Sequence, residues 1–286
     1  MKKKIKYFRE VGSARVEGKY NGSVIIDPKY KFLMIPGITN SIRYLPHGIG
    51  TCTYKDGQIY KGKWKKGKRE GTGKLTWTNG DIYIGQWRKD KPNGKGKFYF
   101  KHGFQDKNKS DTYVGQVKDW LRHGKGTYTW VSQKMKYQGN WKNNNRHGYG
   151  EYKEGNSIYT GNWKDDKRWG KGKITIKKQH SISGTFRHTD LKGKVTMDFW
   201  KPFHITSSTK ARKYIGNIHN ETFQPHGKGY FILKGKKVAV GIWKDGALDN
   251  GKTITEKIFK INGILVGRKR VIYWKKNFPV KTRFLK

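Results

Sequence analysis

Cysteine is almost missing: Cys52 is the only one in 286 residues. An intramolecular disulfide is therefore excluded, and so is a zinc site built on paired cysteines. Proline is scarce at 7. No apolar run approaches the roughly 18 residues of a membrane-spanning helix, so no transmembrane segment is expected. The opening Met1-Lys2-Lys3-Lys4-Ile5-Lys6 is basic with no apolar stretch behind it, which argues against a secretory signal. The sequons at Asn21, Asn108 and Asn220 then carry little meaning, and the expected location is intracellular. Acidic residues are also few: 20 Asp and Glu stand against 64 Lys and Arg, a net charge of +44. Hydrophobic residues make up only 33%, which would suit a disordered basic tail. The 11 Trp, 17 Tyr and 13 Phe point the other way, because rings of that size are what a folding chain buries.

What the chain has in abundance is a repeat. The first Gly of successive Gly-x-Gly-like steps falls at Gly48, Gly71, Gly94, Gly124, Gly148, Gly170, Gly193, Gly227 and Gly251. A second series, the Gly of Tyr-x-Gly-x-Trp, falls at Gly62, Gly85, Gly115, Gly139, Gly161, Gly184, Gly216 and Gly241. The spacings of the two series rise and fall together, mostly by 22 to 25 residues. Two residues before the second Gly stand Tyr60, Tyr83, Tyr113, Tyr137, Tyr159, Ile182, Tyr214 and Ala239; two after it stand Trp64, Trp87, Val117, Trp141, Trp163, Phe186, Ile218 and Trp243. Positions i, i+2 and i+4 share one face of a strand. The Gly between two rings leaves space for a neighbouring ring to lie flat over its backbone.

The first half of each unit also reads as a strand, and Asp56-Gly57, Asn79-Gly80 and Glu154-Gly155 read as hairpin turns. Each repeat is then one β-hairpin, and stacked hairpins bury the aromatic face that one alone cannot. The predicted fold is all-β: an elongated, single-layer array of about nine antiparallel hairpins over 47–253. An irregular β segment (1–46) precedes it, with Tyr20-Asn21-Gly22 as a relic rung, and a β cap (254–286) follows. Long spacings place basic insertions near 101–112 and 196–213.

The segment from Tyr60-Lys-Gly62-Lys-Trp64 to Gly71-Thr-Gly73, and that from Tyr159-Thr-Gly161-Asn-Trp163 to Gly170-Lys-Gly172, resemble the consensus of MORN (membrane occupation and recognition nexus) repeats. The structural residues of the pattern are Tyr60, Gly62, Trp64, Tyr83, Gly85, Trp87, Tyr137, Gly139, Trp141, Tyr159, Gly161 and Trp163. Ile182, Ala239 and Val195 depart from it, so the array degrades toward its C-terminus. The resemblance implies a role in membrane-proximal or cytoskeletal assemblies, with phosphoinositides suggested as ligands.

No catalytic constellation stands out, and a non-enzymatic protein without cofactor, metal or small-molecule substrate is expected. Gly246-Ala-Leu-Asp-Asn-Gly251-Lys252-Thr253 matches a phosphate-binding loop, but that device needs a following helix and Ile254-Thr-Glu-Lys-Ile-Phe reads as strand. His47, His123, His147 and His226 recur once per rung, about 9.6 Å apart at the usual strand spacing, too far to share a metal. The cations recur as well. Lys65, Arg88, Lys118, Lys142 and Lys164 follow the Trp position; Lys95, Lys125, Lys171 and Lys228 fall inside the Gly-x-Gly step; Arg122, Arg146 and Arg168 lie in the same loops. Two columns of cations at rung spacing form a linear polycation, costly unless a polyanion neutralises it. The expected partner is an acidic phospholipid, RNA or an acidic protein surface within a larger assembly. The leading reading is a scaffold docked on an anionic membrane or cytoskeletal surface. The alternative is an RNA-contacting subunit of a large ribonucleoprotein such as an organellar ribosome.

Overall fold

A computed structural model describes residues 2–11, 14–27, 44–101, 110–205, 210–233, 236–261, 264–276 and 278–285. The parts of both insertions at 102–109 and 206–209 fall outside these, as do Pro28 and Pro36. Among the described residues every regular element is a strand. The chain forms two compact units, 1–147 and 148–286.

Unit 1 runs through β1 (Lys2–Val11), β2 (Ala14–Ile26), β3 (Tyr44–Tyr54), β4 (Ile59–Lys65), β5 (Lys68–Thr76), β6 (Ile82–Arg88), β7 (Lys91–Lys101), β8 (Ser110–Lys118), β9 (Leu121–Trp130) and β10 (Met135–Lys142). Unit 2 takes most of β11 (Asn145–Glu154). It continues through β12 (Ser157–Lys164), β13 (Lys167–Ile176), β14 (His180–Arg187), β15 (Asp190–His204) and β16 (Lys210–Ile218). It ends with β17 (Pro225–Leu233), β18 (Lys236–Lys244), β19 (Ala247–Ile261), β20 (Ile264–Lys275) and β21 (Phe278–Leu285). Within each unit every strand pairs antiparallel with its neighbours in chain order. The segment expected as a cap lies in strands β19–β21.

Register explains the glycines. Gly22, Gly50, Gly62, Gly73, Gly85, Gly96, Gly115, Gly126 and Gly139 stand directly opposite one another, strand by strand, across unit 1. Unit 2 repeats the column over Gly150, Gly161, Gly172 and Gly184, and again over Gly216, Gly229, Gly241 and Gly251. Tyr20, Tyr60, Tyr83, Tyr113, Tyr159 and Tyr214 each lie over the glycine two residues downstream and the glycine paired with it on the next strand. A Cβ on Gly62 would lie 2.6 Å from the Tyr60 hydroxyl, and one on Gly73 only 2.2 Å from it. The hydroxyl itself donates to the Lys63 carbonyl at 2.9 Å. Tyr20, Tyr83, Tyr113, Tyr137, Tyr159 and Tyr214 make the same bond three residues downstream. Tyr20 thus completes the relic rung read from the sequence. The Trp indole N–H donates backwards to a column glycine: Trp64 to Gly50, Trp87 to Gly73, Trp141 to Gly126, Trp163 to Gly150 and Trp243 to Gly229. Tyr and Trp meet edge to face, with centroids 5.0 Å apart for Tyr60–Trp64 and for Tyr137–Trp141.

The degraded rungs compensate in volume. Where Ile182 replaces Tyr, no ring needs the glycine space, and Leu191 and Val195 fill it against Gly184. Where Ala239 replaces Tyr, Leu248 packs over Gly241 and Gly251.

The turn after Trp is a two-residue loop with both central residues left-handed, the type I′ hairpin that matches strand twist. The φ pairs are 49° and 79° at Lys66 and Gly67, 49° and 71° at Asn143 and Asn144, and 48° and 64° at Asp165 and Asp166. The turns at Asp56-Gly57 and Asn79-Gly80 differ from the tight hairpins the dipeptides suggest. Only the Gly is left-handed there, and Asp56 and Asn79 accept from the backbone N–H two residues on. Gly246–Thr253 runs from a left-handed turn into β19, with Gly251 in the glycine column; the strand that follows has no helix N-terminus to offer a phosphate.

Candidate polyanion-binding surface

Strand alternation divides each hairpin into an aromatic face and an open face. In β4, Tyr60 and Trp64 are buried while Ile59, Lys61, Lys63 and Lys65 are exposed. In β6 and β7, Tyr83, Trp87 and Phe98 are buried, and Ile84, Gln86, Arg88 and Lys95 are exposed. The x positions of Tyr-x-Gly-x-Trp therefore point away from the rings.

The twelve expected cations fall into three groups. Lys65, Arg88, Lys118, Lys142 and Lys164 are exposed at the strand ends beside the two-residue turns. Lys95, Lys125, Lys171 and Lys228 are exposed on the open face, within the Gly-x-Gly step. Arg122, Arg146 and Arg168 are not free loop cations: all three are half-buried over rings. Arg122 lies 4.6 Å from the Trp141 centroid and 5.0 Å from that of Tyr128, and its guanidinium donates to the Asn144 carbonyl at 2.9 Å. Arg168 stacks between Tyr159 and Phe186, and Arg146 sits 5.9 Å from Tyr137. Arg69 is their fully buried equivalent, 4.2 Å from the Trp87 ring and paired with Asp90. The planar guanidinium, less strongly hydrated than an ammonium, suits this stacking. Arg69, Arg122, Arg146 and Arg168 thus pack on the aromatic face whereas Arg88 is exposed with the lysines, a division that periodicity alone does not reveal.

Lys61, Lys63 and Lys74 are exposed and Lys97 half-exposed on the same open face, where alternation from the neighbouring Tyr and Gly places all four. Lys61 stands directly opposite Lys74, a like-charge pair that weakens an isolated sheet. Across β6–β9, Ile84, Lys97, Val114 and Thr127 succeed one another in register. Together with Lys95, Gln116 and Lys125 the first three line a groove of about 490 Å³. No carboxylate is among its described lining residues. Gln116, and Gln86 outside the lining, are already engaged: their Oε1 atoms accept the backbone N–H of Lys125 and Lys95 at 2.9 and 2.7 Å. Those bonds hold each lysine's backbone at the bulge that Gly94 and Gly124 make.

Of the histidines, His47 Nδ1 accepts from the Lys66 N–H at 3.4 Å and His226 Nδ1 lies 3.4 Å from Asp245. Burial shifts the tyrosines of the aromatic face: Tyr60, Tyr83, Tyr113 and Tyr214 well upward, Tyr20, Tyr128 and Tyr159 up to about 12. Burial also lowers His180.

The MORN repeat model matches six segments: 42–59, 60–82, 83–103, 113–135, 137–155 and 159–180. Six MORN repeats therefore lie between residues 42 and 180 of the chain. The same Tyr–Gly–Gly geometry continues beyond the matched segments at Tyr214, and the Trp243 bond to Gly229 repeats it further on. The chain is 50% identical over 42 residues to MORN repeat-containing protein 3 of Xenopus laevis, covering 15% of this chain and 18% of that one. It is 32% identical over 131 residues to alsin of Rattus norvegicus, and over 135 residues to human alsin, covering 44% of this chain and 6% of theirs. The chain therefore spans less than a fifth of the length of these relatives.

Proposed function

We propose that this protein is a non-enzymatic scaffold whose lysine-lined open face and turn edges dock on an anionic partner. The carrying observation is the separation of cations by role. Arg69, Arg122, Arg146 and Arg168 stack into the aromatic face, while Lys65, Arg88, Lys95, Lys118, Lys125, Lys142, Lys164, Lys171 and Lys228 stay exposed at rung intervals. Lys61, Lys63 and Lys74 join them, and the half-buried Lys97 lies on the same face, 4.4 Å from the Tyr99 ring. Opposed like charges such as Lys61 and Lys74 favour a neutralising partner. Membrane lipid, an acidic protein surface and RNA share the chemistry. No helix among the described residues is long and apolar enough to cross a membrane, so docking on lipid would be peripheral. A net charge of +44 keeps the RNA reading in view.

The test is affinity against salt for acidic-lipid vesicles, a polyglutamate peptide and structured RNA. Replacing Lys61, Lys63, Lys74, Lys95, Lys97 and Lys125 by Gln should flatten the slope, by roughly 0.9 per lost phosphate contact for duplex nucleic acid. An equal number of lysines changed in 1–46 and 254–286 is the control. Equal losses in both variants would reduce the columns to a diffuse field.

A further inference from the structure

We propose that the groove across β6–β9 seats an acidic peptide segment of a partner protein, one that carries aliphatic side chains between its carboxylates. This rests on the anionic-docking reading and narrows it to one occupant. The groove is not simply basic. Ile84 and Val114, on its floor, are 45% and 49% exposed, so apolar surface there stands in water among lysines. They stand two strands apart, about 9.6 Å at the usual strand spacing. Lys97 lies between them in register, and Lys95 and Lys125 flank them. The glutamine oxygens are spent on the backbone, so the floor offers a ligand apolar contact and the walls offer ammonium groups.

That combination separates the candidate polyanions. A layer of lipid headgroups would meet the lysine tips and keep its acyl chains above them, leaving Ile84 and Val114 uncovered. A single-stranded nucleic acid binds by stacking bases on rings, and the described lining contains none. A peptide is narrow enough to enter. Its carboxylates pair with the lysines, and its aliphatic side chains cover the floor, as at the core of an ordinary protein interface.

The experiment uses the full chain and a dye-labelled synthetic acidic peptide carrying two leucines. Its counterpart has both leucines replaced by serine. Binding is read by fluorescence anisotropy. The protein variant is the pair Ile84→Thr and Val114→Thr, which keeps β-branched strand formers. An unchanged thermal melt of that variant confirms the fold. The leucine peptide should bind roughly tenfold tighter than the serine peptide, and the threonine pair should erase the difference. Equal binding of both peptides to the natural protein would overturn the groove proposal and leave anionic docking standing. Acidic vesicles that bind and are weakened by the same threonine pair would also overturn it, assigning the floor to membrane. Failure of both peptides, of vesicles and of RNA to bind at low salt would overturn the anionic reading itself.

Discussion

A methyl group added to Gly85 would sit 2.5 Å from the Tyr83 hydroxyl and 2.6 Å from the Gly96 Cα. Neither neighbour can yield, since the hydroxyl is bonded to the Gln86 carbonyl at 2.9 Å and Gly96 is backbone in the facing strand. Gly85→Ala should cost about 1–3 kcal/mol, the usual penalty of overpacking, read as a lower urea midpoint at constant slope. Gly155 is the comparison: a Cβ there meets nothing within 4 Å, and only its φ of 53° opposes the change. Gly155→Ala should cost about 1 kcal/mol, the strain of a left-handed residue alone. The tyrosines provide a pH test. A phenol whose folded pKa is raised keeps its full stabilising contribution below the unfolded value near 10. That contribution is lost as pH rises through the folded value. For Tyr20, Tyr128 and Tyr159 the window runs from about 10 to about 12. Tyrosinate absorbance reads the phenols directly. Those phenols should titrate late in the native protein and near 10 once urea unfolds it.

At the scale of the hairpin, the rung is a volume puzzle with two solutions. Tyr over paired glycines is one; an aliphatic residue in place of Tyr, with Val195 or Leu248 filling the glycine space, is the other. Ile182→Tyr alone should therefore destabilise by about 1–3 kcal/mol, because Val195 and Leu191 occupy the ring's seat. Ile182→Tyr with Val195→Gly should cost less than the sum of the two single changes, by about 1 kcal/mol or more in a double-mutant cycle. Strict additivity would mean that the two solutions are unrelated. Much of this element was legible beforehand. Period-two spacing of Tyr, Gly and Trp gave the strands, the buried face and the number of residues per rung. Which ring covers the glycine was left open, because periodicity fixes a face but not the direction in which a side chain leans along it. The arginines were misread for a related reason: Arg122 and Arg168 look like any loop cation until the turn folds them back over Trp141 and Phe186. The open-face lysines at 61, 63, 74 and 97 were within reach, since each alternates with a residue already placed on the aromatic face.

For the whole molecule the governing quantity is the net charge of +44. Successive lysines on the open face stand one or two strands apart, about 4.8 to 9.6 Å, while the screening length at 0.15 M salt is about 8 Å. Neighbours along a column therefore still repel at physiological salt, and the free protein carries a destabilising field that salt relieves. Salt should act with opposite sign on folding and on docking. Melting temperature should rise between low and high salt, and affinity for a polyanion should fall over the same range. Substitutions should sort by the same logic. Lys125→Gln removes an exposed charge, so it should raise or leave unchanged the low-salt melting temperature and weaken docking. Arg122→Gln removes a guanidinium stacked on Trp141 and bonded to Asn144, so it should lower stability by about 1–2 kcal/mol whatever the salt. Its effect on docking at a temperature where the variant is folded should be smaller than that of Lys125→Gln. Melting curves and vesicle or peptide binding on the same two variants decide the matter. If Arg122→Gln weakens docking as much as Lys125→Gln while leaving stability untouched, the division between stacked arginine and docking lysine is wrong.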